Sequence, residues 1–120
     1  MSPIEVVEAF YAAGTGGDVD ALAAFFTADA VWDNRIDDDP LGGLHEGRAA
    51  IRDLLLSPLF QFLPAGIHTT VERMFATDGS VVCLNTGRGT TVTGDAFEKR
   101  YAHVFDFEGE RFRRVTEFRS

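Results

Sequence analysis

The sequence predicts an α+β fold: three N-terminal helices packed on one face of a curved antiparallel (mixed) sheet supplied by the C-terminal half. Three observations carry this. Ser2-Pro3-Ile4-Glu5 is a capping box with proline at the first helical position, followed by apolar residues at helical spacing. From Ile67 onward the chain reads as strand-like runs punctuated by turn residues, Thr77-Asp78-Gly79, Val92-Thr93-Gly94-Asp95 and Glu108-Gly109-Glu110. Helices early and strands late, rather than alternating, is the order of a segregated α+β layout. At 120 residues the chain suits one domain, 1–120, with one sizeable core.

Taken in order, Ile4, Val7, Phe10 and Tyr11 place a first helix to about Ala13, ended by Gly14, Gly16 and Gly17. Asp18 caps a second, shorter helix whose buried stripe is Leu22, Phe25 and Phe26. A short strand runs from Val31 to Ile36, and Asp37 to Gly43 forms an irregular acidic loop. Gly47-Arg48 opens a third helix with Ile51, Leu54 and Leu55 on one face, and Pro58 breaks or bends it. Leu59 to Leu63 is an apolar connector over a cavity. Strands follow at Ile67–Ala76, Ser80–Thr91, Phe97–Phe107 and onward to Phe118. A curved sheet wrapped round a helix leaves a conical hollow at its wide end, where a site is expected.

Composition bounds the function classes. The net charge is −8 and the pI near 4.7, which exclude the basic footprint that nucleic acid or an anionic membrane surface needs. The 11 phenylalanines make the interior aromatic and suit a small apolar molecule as partner. The single cysteine, Cys83, has no internal disulfide partner and reads as a buried thiol. No signal peptide or membrane-spanning stretch is seen, so a cytoplasmic location is expected. No metal site is expected. The three histidines lack metal-ligand spacing, and Asp37–Asp39 lacks the alternation and glycine of a calcium loop. Gly87-Arg88-Gly89-Thr90-Thr91 lacks the lysine of a phosphate-binding loop.

The stretch that carries chemistry is the final hairpin. On its first strand Tyr101, His103, Phe105 and Phe107 share a face, because side chains alternate with period 2. On the second, alternation sets Phe112 and Arg114 against Val115, Glu117 and Arg119. An ordinary core face would be aliphatic and would carry neither a His nor a nearby Glu.

Phe10-Tyr11, Gly17-Asp18, Leu22, Phe25-Phe26, Asp29-Ala30-Val31-Trp32, Gly47-Arg48-Ala49-Ala50-Ile51-Arg52 and Tyr101-Ala102-His103-Val104-Phe105 together resemble the SnoaL-like branch of the nuclear-transport-factor-2-like superfamily. That group includes ketosteroid isomerase, limonene-epoxide hydrolase and SnoaL-type polyketide cyclases. The resemblance covers nearly the whole chain and implies a cystatin-like cone, but it leaves the reaction open, since this fold hosts many chemistries. Position by position, the isomerase's base matches Asn34 and its oxyanion-stabilising Asp matches His103. The hydrolase's Arg and Asp match Asn85 and Gly87, its other Asp matches Glu117, and its water-positioning Tyr and Asn match Trp32 and Asn34. The charges at 34, 85 and 87 are therefore missing, which departs from both known mechanisms.

The resulting expectation is a cofactor-independent isomerase, cyclase or hydrolase. His103, Glu117 and Asn34 are the candidate catalytic residues, and Trp32, Tyr11, Asn85, Tyr101 and Phe105 the candidate substrate contacts. Two other readings stay open: a non-catalytic binder of an apolar ligand, and a dimeric interaction domain. A homodimer is expected to form through the outer sheet face, at Val82, Leu84, Val104 and Thr116.

Overall fold

A computed structural model describes residues Met1–Arg119. Helix α1 spans Pro3–Gly16. Its start follows the capping box: Ser2 accepts from the Glu5 amide while the Glu5 carboxylate accepts from the Ser2 amide. The helix runs three residues past Ala13, because its glycines are tolerated until Gly17 turns left-handed and closes the end. Helix α2 is a single turn, Val19–Ala23, capped by Asp18.

The first strand, β1, covers Phe26–Asn34. It begins five residues before the expected Val31, and Phe26 therefore lies in the sheet rather than on helix α2. The cause is that α2 ends at Ala23, so the chain is already extended when it reaches Phe26. A short strand β2, Gly43–Glu46, pairs antiparallel with β1 just after the expected loop, where no strand was expected. Four residues flanked by glycines give too short an alternation to be read from sequence.

The third helix also differs from expectation. It runs as α3, Arg48–Ala50, then a π-helical stretch, Ile51–Leu56, then α4, Ser57–Phe62. Pro58 does not end it. Proline lacks an N–H and its ring crowds the carbonyl four residues back, and the wider π turn just before it relieves both demands. The extra residue per turn also rotates the buried face, so Leu55 and Leu56 are buried and Leu54 is exposed. Leu59 to Phe62 is thus helix and not connector, and it roofs the cavity described below.

Strands β3, His68–Thr77, β4, Ser80–Thr90, β5, Ala96–Glu108, and β6, Arg111–Arg119, complete the fold. The six-stranded sheet has the order β2-β1-β6-β5-β4-β3, antiparallel except for the parallel β1–β6 pair. One irregularity matters for the site. Asp106 pairs with Arg114 but Phe107 pairs with Phe112, so Arg113 is an extra residue in β6. That bulge brings Phe112 onto the same inner face as Val115 and Glu117, where plain alternation sets them on opposite faces.

The core forms around Phe10 of α1. Its ring meets those of Phe25, Phe26, Phe105 and Phe112 at centroid distances of 5.5, 5.7, 6.0 and 5.2 Å, all near edge-to-face. Such pairs add about 0.5–1.5 kcal/mol each beyond the area they bury. Phe26, Phe105, Phe112 and Val115 are fully buried, while Phe25 is half-buried at the edge of the cluster. Helix α1 is anchored to β3 by the Ile67 amide donating to the Gly14 carbonyl. Gly66 permits this: its φ is +90°, and a Cβ there would lie 2.2 Å from the Thr15 carbonyl oxygen. Among the described residues no helix is long and apolar enough to cross a membrane.

Candidate functional site

His103 sits on β5 directly opposite Glu117 on β6 and opposite Cys83 on β4. Cross-strand pairs on one face stand close enough for side chains to bond. His103 Nε2 lies 2.7 Å from Glu117 Oε1. On its other side, Nδ1 lies 2.9 Å from the Tyr11 hydroxyl and 3.0 Å from Asn85 Nδ2. Asn85 Nδ2 also reaches the Cys83 carbonyl at 3.4 Å, an acceptor only, which assigns that atom as the donating amide nitrogen. Nδ1 therefore accepts, and the ring proton sits on Nε2 and is donated to Glu117. His103 and Glu117 side chains are 8% and 11% exposed, so this charge-assisted bond is shielded from water.

The neighbours of the pair are held protonated. Burial first, then Cys83 and the negative charge of Glu117, push the Tyr11 hydroxyl well above its ordinary range. Burial first, then Glu117 and Asp39, do the same to Tyr101. Tyr101 stacks on the His103 ring at 5.2 Å and 17°. Burial also pushes the Cys83 thiol up.

The pair opens onto a cavity in two parts. An inner chamber of about 80 Å³ lies between α1, β3, β4 and α4, walled by Phe10, Gly14, Leu22, Phe60, Ile67 and Gly87, with Tyr11, Asn85 and His103 also lining it. An outer chamber of about 300 Å³ is bounded by Asn34, Asp39, Leu41, Phe62, Phe97 and Lys99. Trp32, Leu56, Leu59, Tyr101 and Glu117 line both, so Glu117 stands at the neck between them.

The sequence-predicted residues separate on this geometry. His103, Glu117, Tyr11 and Asn85 form one hydrogen-bonded group, and Trp32 and Tyr101 flank it. Asn34 lines the outer chamber, and its amide donates to Asp39 at 3.3 Å rather than joining the His103 group. Phe105 was expected at the ligand. It is fully buried behind the site in the core and borders neither chamber, because its ring is taken up by Phe10 and Phe112. Trp32 Nε1 and Asn34 Oδ1 are buried with no protein partner among the described residues. Residues missed from sequence are Leu56 and Asp39; Leu59 and Phe60 were expected over the cavity, as a connector rather than a helix. Leu56 is hidden by the π-helical rotation. Asp39 sits in an acidic run that reads as a solvated loop, yet its side chain is only 13% exposed and accepts from Asn34 and the Leu41 amide. Among the described residues no group of three or more His, Cys, Asp or Glu side chains converges as a metal site.

Comparison with known proteins agrees with this architecture. No curated protein matches the chain significantly in sequence. A cystatin-fold protein from Novosphingobium aromaticivorans is 26% identical and superposes with a TM-score of 0.79, covering 99% of both chains. A ketosteroid isomerase-like fold protein from Catenulispora acidiphila, in complex with trimethylamine, is 21% identical with a TM-score of 0.80, covering 95% of this chain and 84% of its own. TerC, co-crystallised with polyporic acid, is 21% identical with a TM-score of 0.79, covering 98% of this chain and 91% of its own. The model of the SnoaL-like domain matches residues 7–115, and the chain belongs to that family.

Proposed function

We propose that the protein is a small-molecule enzyme of the SnoaL-like type. It performs acid–base chemistry of an isomerase, cyclase or hydrolase on a small apolar substrate held in the aromatic-lined cavity. The observation that carries this reading is the 2.7 Å His103–Glu117 bond at the neck of the cavity. Both ring nitrogens of His103 are engaged by protein groups, so His103 is a positioning residue. The carboxylate oxygen of Glu117 that His103 does not hold is the one left for substrate, and Glu117 is the general base. A carboxylate fixed by a second group at a water-poor neck is the arrangement a proton abstraction needs. Trp32, Tyr101 and Asn34 are the surrounding polar contacts for the substrate's oxygen. No cofactor enters this reading. Two proteins of the same fold have been seen with small molecules, trimethylamine and polyporic acid, which supports a ligand-holding cavity.

The experiment follows deuterium uptake next to the carbonyl of small aryl alkyl ketones in heavy water by NMR. It detects a working base whatever the later reaction is. Exchange above the buffer rate that falls about a hundredfold in Glu117→Gln supports the reading, that being the usual size of a general base's contribution. Exchange that is equal in both proteins contradicts it.

A second reading is non-catalytic binding of an apolar ligand by the same cavity. What favours it is the absence of charge at Asn34, Asn85 and Gly87. Saturable ketone binding without exchange would select it.

A further inference from the structure

The two chambers differ in what they can hold. An apolar protein cavity of about 150 Å³ takes up a benzene ring. The inner chamber, about 80 Å³, is about half of that, the size of a short aliphatic chain rather than of a six-membered ring. The outer chamber, about 300 Å³, has room for a ring. Glu117 stands between them.

The inner end is shaped by glycine. Gly87 lies within β4, where glycine weakens a strand and commonly marks a close approach. Its backbone is not in the left-handed region, so conformation does not require it; space does. A Cβ there would lie 2.8 Å from Ile67 Cδ1 and 3.4 Å from Tyr101 Cε2. Ile67 and Tyr101 are themselves walls of the inner chamber. A methyl group at 87 must therefore push Ile67 or Tyr101 into the little space available.

We propose that the site selects a bipartite neutral ligand. Its ring body occupies the outer chamber, its reacting carbon sits at Glu117, and a short alkyl substituent of roughly three carbons enters the inner chamber, a limit scaled from the benzene-sized cavity. Gly87 is the residue that sets that length. The proposal rests on the cavity assignment made above but not on Glu117 acting as a base.

The test titrates acetophenone, propiophenone, butyrophenone, valerophenone, hexanophenone and cyclohexyl phenyl ketone into the intact protein. Binding is read by the fluorescence of Trp32, the only tryptophan, which lines both chambers. Affinity is expected to rise roughly fourfold per added methylene up to butyrophenone or valerophenone, and then to level off or fall. Cyclohexyl phenyl ketone, with a ring on each side of its carbonyl, should bind at least tenfold more weakly than butyrophenone. In Gly87→Ala the optimum should move to a shorter chain, with a loss that grows with chain length. If Gly87 serves only the packing of Ile67, the loss is instead uniform across the series, and the proposal fails. Continued tightening through hexanophenone, tight binding of the two-ring ketone, or no saturable binding of any ketone also overturns it. Should Gly87→Ala fail to fold, Ile67→Val is the second variant: it enlarges the inner end and should move the optimum to a longer chain. Deuterium exchange by the unmodified protein, set beside its chain-length profile, separates the two readings. A chain-length optimum without deuterium exchange keeps the bipartite ligand and removes the base; exchange without an optimum does the reverse.

Discussion

Two donors converge on one nitrogen of His103, and that decides what the residue does. The Tyr11 hydroxyl and the Asn85 amide both address Nδ1, so the proton is on Nε2 and is given to Glu117. If the role is positioning, His103→Gln, which retains a donor, should keep ketone exchange within about tenfold of wild type. His103→Ala should lose about a hundredfold, the barrier that one buried, positioned hydrogen bond accounts for. Loss of similar size in both variants would mean that His103 itself carries the proton. Asp33 gives a second prediction. Its buried carboxylate is bonded by Arg35 at 2.8 and 2.7 Å and by Arg114 at 2.7 Å. The Arg35 hydrogen bonds, chiefly, hold its pKa below the ordinary carboxylate range. A depressed folded-state pKa contributes stability that is fully present above the unfolded value near 4 and is lost as pH falls through the folded value. Asp33→Asn should therefore lower the melting temperature at pH 7 and flatten its decline below pH 4; an unchanged acid limb would exclude this role. Alternation along β5 was enough to put His103 on the inner face. Glu117 was legible only as a glutamate near that face, because counting from Phe112 puts it on the opposite one; the family resemblance is what gives it a site role.

At the level of elements, the difference between expectation and structure is concentrated where backbone hydrogen bonding changes register. The Arg113 bulge and the π-helical stretch Ile51–Leu56 each insert a residue into a regular period, and a periodic reading cannot locate an insertion without knowing the partner strand or helix. The capping box, the glycine turns and the strand alternation of β4 and β5 are local signals, and these were legible. Gly66 and Gly79 provide a test of the α1–β3 junction. Both have positive φ, +90° and +72°, but a Cβ at Gly79 meets nothing within 4 Å, whereas one at Gly66 meets the Thr15 carbonyl oxygen at 2.2 Å. Gly79→Ala should cost about 1 kcal/mol, the conformational cost alone. Gly66→Ala should exceed it by at least about 2 kcal/mol in chemical denaturation, since the backbone of α1 or β3 has to move. Equal costs would show that the junction is not tightly held.

Across the whole molecule, the outer sheet face is the surface that the fold leaves uncovered. Val82, Leu84, Val104 and Thr116 are half-buried there. Phe75, cross-strand from Val82, and Phe118, on the same strand as Thr116, are 44% and 56% exposed. The ion pairs Arg100–Glu72, between β5 and β3, and Arg114–Asp33, between β6 and β1, lie beside these residues on the same sheet. An apolar patch with a polar margin is the anatomy of a protein interface. The homodimer proposed for this face should give twice the 13.2 kDa chain mass in light scattering at micromolar concentration. Val104→Glu should return it to the monomer mass. A monomer in the unmodified protein would count against the dimer and leave the cavity chemistry untouched.

His103 is held as the Nε2–H tautomer between two donors and the Glu117 carboxylate. The most direct measurement is a two-bond proton–nitrogen correlation spectrum of ¹⁵N-histidine-labelled protein at neutral pH, with His103 identified among the three histidines by its absence in His103→Gln. The spectrum should show a ring with a protonated Nε2 and a bare, hydrogen-bonded Nδ1, and a marked shift of the Nε2 resonance in Glu117→Gln. A protonated Nδ1, a rapidly averaging ring, or a resonance indifferent to Glu117→Gln would contradict it.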